Sequence, residues 1–202
     1  EILRTDGALA RAVDGGAAVL AVCAGYQIVG RTFPGADGRP LPGIGLLDVS
    51  TVKGSGRRAV GEVLAEPVPG GPVAGGGTAE GAVADRQPAE ALPTLTGFEN
   101  HGGVTTVGPG ARPLARVAAG VGNGSGDGTE GAWAGRVVGT YLHGPVLARN
   151  PALADVLLGW AIGRGLDPRP DEEEDALRRE RLATVRRATR GSWFRGSRRR
   201  GG

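Results

Sequence analysis

Short apolar runs and stretches with helical spacing follow one another along this chain, separated by clusters of glycine and proline. Runs rich in β-branched and aliphatic residues predict buried strands, and apolar positions recurring every three to four residues predict helices. The predicted strands are residues 17–22, 44–49, 58–64, 95–101, 114–118, 131–133 and 136–142. The predicted helices are residues 1–15, 26–34, 150–163 and a last helix beginning near 171. This mixture, without one clean alternation, indicates an α/β domain that carries antiparallel strand additions.

Length and composition are sufficient for a single buried core. The 202 residues are 40% hydrophobic, which predicts one domain over residues 1–170. Glycine and proline crowd into residues 67–93, predicted as a mobile loop or weak hairpin, and into the glycine loop at 120–128. Residues 171–202 are predicted to form a C-terminal helix followed by an arginine-rich, disordered tail.

The basic charge of the chain belongs to that tail. Residues 186–200 contain seven arginines and no acid, and without them the formal net charge of +3 becomes −4. The body of the protein therefore lacks the basic surface typical of nucleic-acid binding. No apolar run approaches the ~18 residues of a membrane span, and one cysteine allows neither an internal disulfide nor a cysteine-cluster zinc site. We expect no nucleic acid, no stable membrane insertion, no metal and a cytoplasmic location.

The single cysteine stands at a predicted strand-to-helix turn. The apolar run at residues 17–22 leads directly into Cys23, and small residues, Ala21 and Gly25, stand two positions away on either side. A nucleophile on such a turn projects out of the sheet and requires small neighbours at these two positions. The pattern therefore favours a catalytic thiol, with a small buried hydrophobic side chain as the alternative.

Two histidines are available as the base that such a thiol needs. His143 follows the predicted strand at 136–142, and Cys23 follows the strand at 17–22. Ligands of open α/β sheets bind at the carboxyl ends of the strands, so the two side chains can converge there. A neutral imidazole can take the thiol proton and return it to a leaving amine. A structural turn histidine is the alternative for His143, and His101 is interpreted as a group that shapes the site.

Three motifs together resemble one family of enzymes. VCAGYQ at residues 22–27, GFENHGG at 97–103 and GTYLHGP at 139–145 occur in the order and spacing of the GatD family, the glutamine amidotransferase subunits of lipid II isoglutaminyl synthase. This family is similar to the amidotransferase domain of cobyric acid synthases and belongs to the class I, triad-type glutaminases. The resemblance covers residues 1–185 and implies a flavodoxin-like α/β domain.

The resemblance also implies an activity and a partner. Such a subunit hydrolyses L-glutamine to glutamate and ammonia and needs no cofactor of its own. Its partner is a Mur-ligase-like synthetase subunit, with which it forms a heterodimer. With ATP and Mg²⁺, that partner amidates the D-glutamate α-carboxyl of lipid II to D-isoglutamine during peptidoglycan synthesis.

The same resemblance assigns roles to individual residues. Cys23 is the nucleophile that forms the γ-glutamyl thioester, and His143 is its general base and acid. The glutamine-binding arginine is Arg58, or Arg57 if the alignment shifts by one residue, and its guanidinium suits the substrate α-carboxylate. The remaining substrate-binding residues that the motifs imply are Ala24, through its backbone N–H as an oxyanion donor, and Gln27, Asn100 and His101.

This chain departs from the wider class in two places. Pro145 stands where class I triads carry the glutamate that orients the histidine. The enzyme is then a dyad, or the acid comes from Glu99 or from the partner protein, which is the source we favour. Family members also carry residues before the segment aligned with Glu1, including a loop with a second oxyanion donor, so the chain is expected to be truncated at its N-terminus.

Three alternative functions remain open on the sequence. One is a glutaminase domain for cobyrinic acid amidation in cobalamin synthesis. The second is a non-enzymatic interaction module whose basic tail binds an anionic surface, and the third is a cysteine peptidase.

Overall fold

A small parallel pair of strands organises the part of the molecule that carries the predicted site. The computed structural model describes residues 2–72, 92–166 and 172–196. Strand β1 (Val19–Val22) pairs in parallel with β11 (Val137–Thr140), and β10 (Ala132–Ala134) pairs antiparallel with the other edge of β11. The carboxyl ends of β1 and β11 therefore lie side by side, at the usual strand spacing of about 4.8 Å.

Two further sheets flank this pair and are built mainly from antiparallel neighbours. One has the order β3-β2-β4-β7 and the other the order β6-β5-β8-β9. The strands are β2 (Thr32–Pro34), β3 (Pro40–Pro42), β4 (Val49–Lys53), β5 (Ala59–Pro67), β6 (Leu95–His101), β7 (Gly103–Val107), β8 (Ala115–Ala119) and β9 (Thr129–Glu130). The predicted α/β class with antiparallel additions is confirmed.

Six helices surround the sheets in the described residues: α1 (Ile2–Thr5), α2 (Ala8–Asp14), α3 (Ala24–Ile28), α4 (Val146–Arg149), α5 (Pro151–Ile162) and α6 (Glu172–Gly196). Helix α5 starts at Pro151 and ends at Ile162, and Gly163 after it adopts a left-handed conformation with φ 71°, as Pro near the first turn and Gly after the last turn predict. No helix in the described ranges is long and apolar enough to cross a membrane.

Two buried clusters hold these elements together. In the first, Leu153 and Trp160 of α5 pack with Trp133, Leu142 and Leu114. The second contains Tyr26, Leu47, Val49, Val137 and Tyr141, with Cys23 packed against its edge. The nucleophile candidate thus borders the core, on the side where α3 covers the central strands.

Some predicted elements are wrong in their limits. Residues 44–48 form no strand, because the amides of Ile44 and Leu47 bond to carbonyls of Ile28 and Val29 at the end of α3. The strand in this region is β4, which begins at Val49. The helix predicted for 26–34 is also wrong, since α3 ends at Ile28 and residues 32–34 form β2.

The terminal helices differ from the predictions as well. The helix predicted for 1–15 is divided into α1 and α2 by Gly7, whose φ of 62° does not fit a helix. At the other end, α6 continues to Gly196 and includes part of the segment whose composition predicts disorder. Arginine and alanine favour helix, and no proline follows Pro170. Most of the loop predicted at 67–93, residues 73–91, lies outside the described residues.

Candidate active site

Cys23 occupies a strained turn between β1 and α3. Its backbone has φ 55° and ψ −111°, and it is the one non-glycine residue with positive φ in the described part of the chain. A Cβ added to Gly25 would lie 3.8 Å from the Ala21 Cβ, at van der Waals contact, so the two small residues face each other across the turn. Such backbone strain costs of the order of 1–3 kcal/mol and concentrates at functional sites. The predicted strand-to-helix turn is present.

The strand next to β1 leads to the candidate base. Val22 is in register with Thr140, and the Cys23 amide donates to the Thr140 carbonyl at 2.9 Å. His143 lies three residues beyond Thr140, at the same edge of the sheet as Cys23. Its backbone amide and its Nδ1 each lie 2.9 Å from the Phe98 carbonyl oxygen. A carbonyl only accepts, so Nδ1 carries the proton and Nε2 is left as an acceptor.

Glu99 does not orient this histidine. Its carboxylate accepts the backbone amides of Val121 and Gly122, each at 2.9 Å. The imidazole that it faces is His101, whose Nε2 lies 3.8 Å from Glu99 Oε2. The alternative in which Glu99 supplies the triad acid is therefore wrong for this structure, because backbone amides and His101 hold the carboxylate elsewhere.

An open cavity of about 480 Å³ lies beside Cys23. Among the described residues, its wall contains two cationic side chains, Arg58 and Lys53, and no carboxylate. Its other lining residues are Cys23, Ala24, Gln27, Pro34, Gly35, Ala36, Gly54, Gly56, His101, Gly102 and Gly103. A cavity of this size with positive charge at its wall suits a small ligand that carries a carboxylate.

The cavity brings together most of the predicted site residues. Arg58 lies in its wall and Arg57 does not. Arg58 donates from Nε to Asn100 Oδ1 at 2.6 Å and from Nη2 to the Asn100 carbonyl at 3.0 Å. Asn100 thus holds one edge of the guanidinium and leaves the Nη1–Nη2 edge for a ligand carboxylate. His143 stands at the neighbouring strand end, outside the cavity wall.

His101 and Gln27 are joined through Tyr141 behind the cavity. The rings of His101 and Tyr141 stack with centroids 3.7 Å apart, and the Tyr141 hydroxyl accepts from Gln27 Nε2 at 3.0 Å. Burial raises the pKa of Tyr141 above its ordinary value. A Cβ on Gly103 would lie 2.6 Å from Gln27 Nε2 and 2.8 Å from the Tyr141 hydroxyl, so a larger residue there would displace these two groups. These contacts fix the back wall of the cavity.

Sequence reasoning missed two charged residues near the site. Lys53, at the end of β4, lies in none of the motifs. The pairing of β4 with β7 brings it to the cavity. Glu130 is completely buried beside β11, and burial raises its pKa from 4.5 to about 7. An acid within a glycine-rich stretch gives no signal of burial in the sequence.

Comparison with known proteins agrees with this geometry. Residues 3–151 match the model of the CobB/CobQ-like glutamine amidotransferase domain. The chain is 31% identical over 192 residues to the lipid II isoglutaminyl synthase (glutamine-hydrolyzing) subunit GatD of Staphylococcus aureus, covering 94% of this chain and 69% of that protein. It is 40% identical over 160 residues to a cobyric acid synthase of Pelotomaculum thermopropionicum, covering 76% of this chain and 27% of that protein.

A solved structure supports the fold assignment. A crystal structure of a glutamine amidotransferase superposes with a TM-score of 0.51 at 23% sequence identity, covering 77% of this chain and 67% of that one. The family match spans well over half of the chain, and the superposition agrees with the observed α/β architecture. The chain belongs to the CobB/CobQ-like glutamine amidotransferase family.

Proposed function

We propose that this chain hydrolyses L-glutamine to glutamate and ammonia through a thioester on Cys23. The observation that carries the proposal is the strained turn at Cys23, tied by its amide to the strand that leads to His143 and open to a cavity with a cationic wall. Family membership supports the same reaction. Backbone strain concentrates at functional sites, and a turn of this kind aims a nucleophile out of the sheet.

Each residue has a part in the proposed reaction. His143 Nε2 takes the proton of the Cys23 thiol, and the sulfur attacks the side-chain amide carbon of glutamine. The Ala24 backbone N–H donates to the oxyanion that forms, a contact typically contributing about 10²–10³ in rate. His143 then returns the proton to the leaving nitrogen, and ammonia departs. Water, deprotonated by the same imidazole, hydrolyses the thioester and releases glutamate.

The cationic wall serves substrate binding. Arg58 takes the glutamine α-carboxylate on its free edge, while Asn100 prevents the guanidinium from turning away. Lys53 adds a second positive charge at the cavity. Gln27 and His101, fixed by Tyr141, form the wall against which the substrate side chain lies.

We further propose that the ammonia passes to a Mur-ligase-like synthetase subunit. That partner, with ATP and Mg²⁺, amidates the D-glutamate α-carboxyl of lipid II, and the heterodimer works in the cytoplasm. The support is the similarity to the Staphylococcus aureus subunit over 94% of this chain. We propose that the partner also supplies the acid missing at Pro145. The isolated chain should then hydrolyse glutamine much more slowly than the complex, and equal rates would refute a partner-supplied acid.

A second candidate acceptor is cobyrinic acid. The higher identity, 40%, to a cobyric acid synthase over 76% of this chain favours it. The two acceptors are distinguished by supplying lipid II with a coexpressed Mur-ligase-like partner, or a corrinoid acid with a cobyric acid synthase core. Amidation of only one acceptor identifies the pathway.

The glutaminase reaction is tested with purified protein and its Cys23→Ser variant. Glutamate formation from L-glutamine by the wild type and not by the variant is the expected result, and equal formation by both would contradict it. Removing residues 186–202 should leave the rate unchanged, since Leu182 and Val185, which pack against the body, are retained. A loss of activity on truncation would contradict this expectation and show that the tail contributes to the reaction.

A further inference from the structure

A buried acid contacts the strand that joins the two catalytic candidates. Glu130 lies on β9 with no exposed surface. Its Oε1 accepts a short hydrogen bond from the Thr140 hydroxyl and a bond of 3.0 Å from the Tyr141 amide. Its Oε2 has no hydrogen-bond partner among the described residues. Glu130 does not line the cavity beside Cys23, so it does not touch a ligand bound there.

Thr140 is the junction between Cys23 and His143. Its carbonyl accepts the Cys23 amide at 2.9 Å, and its hydroxyl oxygen accepts the Leu142 amide at 3.0 Å. One residue therefore bonds to the nucleophile on one side and to the segment that carries His143 on the other. The Thr140 hydroxyl has a single proton, and it donates that proton in the hydrogen bond to Glu130.

Only an acceptor oxygen at position 130 satisfies these groups. An apolar side chain would leave the Thr140 hydroxyl proton and the Tyr141 amide unpaired in the interior, where an unsatisfied donor is unfavourable. In the described structure neither donor has a second acceptor. The backbone of residues 140–143 would then be held by its remaining bonds to Cys23 and Phe98, and we expect the separation of Cys23 and His143 to become less well defined.

We propose that Glu130 is a positioning residue that fixes Thr140 and thereby sets the approach of His143 to Cys23. The inference rests on the proposed glutaminase function for its kinetic consequences. It assigns Glu130 no contact with substrate and no part in proton transfer. The role requires an oxygen acceptor at the position of Oε1, and a glutamine side chain at residue 130 also provides one.

The test compares variants that keep or remove this acceptor. Glu130→Leu and Thr140→Val remove one partner each with little change in volume, whereas Glu130→Gln and Thr140→Ser retain the hydrogen bond. The first two should lower kcat about 10- to 100-fold, the loss expected from a misplacement of about 1 Å, with KM changed by less than about twofold. The retaining variants should recover to within about threefold of wild type. The double variant should lose less than the two single losses combined, since both single variants remove the bond between Glu130 and Thr140.

A matched control and a second readout complete the experiment. Glu66 accepts from the Thr94 hydroxyl at 2.8 Å in another sheet, and Glu66→Ala should change neither kcat nor KM. Hydrogen exchange of the Cys23 amide, measured against amides of β5 in the same molecule, should accelerate in Glu130→Leu and not in Glu130→Gln. Unchanged exchange in Glu130→Leu overturns the proposal whether or not the protein hydrolyses glutamine. If wild type forms no glutamate but exchange responds as expected, only the glutaminase proposal fails.

Discussion

The buried carboxyl of Glu130 predicts an unusual dependence of stability on pH. Burial is the main cause that raises its pKa from an ordinary 4.5 to about 7, against the lowering effect of its bonds from Thr140 and Tyr141. Replacement by glutamine keeps the shape of the side chain and removes the titration. The perturbation is therefore Glu130→Gln, and the measured quantity is the free energy of unfolding of both proteins as a function of pH.

The sign and size follow from proton binding. Below about pH 4.5 the carboxyl is protonated in both the folded and the unfolded state. Between about pH 4.5 and 7 the folded state holds a proton that the unfolded state has released, so stability falls as pH rises. The loss is complete above about pH 7. A pKa raised from 4.5 to about 7 corresponds to about 3 kcal/mol, because one pKa step is about 1.4 kcal/mol.

Urea unfolding followed by tryptophan fluorescence and by far-UV circular dichroism measures this difference. Trp133 and Trp160 are buried and report loss of the core, and coincident transitions justify two-state treatment. Relative to Glu130→Gln, wild type should lose about 3 kcal/mol between about pH 4 and pH 8. Asp48→Asn provides a control, since the Gly110 amide lowers the pKa of Asp48 from its ordinary 3.8, and its difference from wild type should therefore stay constant above about pH 5. A difference between wild type and Glu130→Gln that stays constant over this range would refute the reasoning.

Two further predictions concern packing and substrate binding. Gly139→Ala should lower the free energy of unfolding by about 1–3 kcal/mol or more, because the added methyl overlaps the Tyr26 ring. Gly165→Ala, in open space, should change it by less than about 0.5 kcal/mol, and equal effects in urea titrations would contradict the packing described. Arg58→Gln should raise KM for L-glutamine about 10- to 100-fold with kcat little changed, whereas Arg57→Gln should leave steady-state kinetics as in wild type. Similar KM values for these two variants would show that Arg58 does not bind the substrate.

The local signals in the sequence predicted the centre of the fold. The apolar runs before Cys23 and His143 form the paired strands β1 and β11, as their length and composition indicate. The small residues around Cys23 predicted the turn, and the structure adds the positive φ that explains why they are needed. The three motifs also predicted the family, which the domain match confirms.

The parts that escaped prediction depend on long-range contacts. Residues 44–48 are apolar enough for a strand, but their amides bond to the end of α3. Strand β7 was not predicted, although residues 104–107 are all β-branched, and it pairs antiparallel with β4. Only the tertiary structure shows that Lys53 lines the cavity and that Glu130 is buried in the interior. The residues next to them in the sequence predict neither location.

Covalent trapping of the thiol tests the central claim most directly. The chain contains one cysteine, so a glutamine-mimicking electrophile such as 6-diazo-5-oxo-L-norleucine can label one sulfur only. We expect a single adduct on Cys23 by intact mass, slowed by L-glutamine and not by D-glutamine, absent from Cys23→Ser and much slower in His143→Asn. Labelling of His143→Asn at the wild-type rate, or no protection by L-glutamine, would contradict the proposed pairing of this thiol with its imidazole.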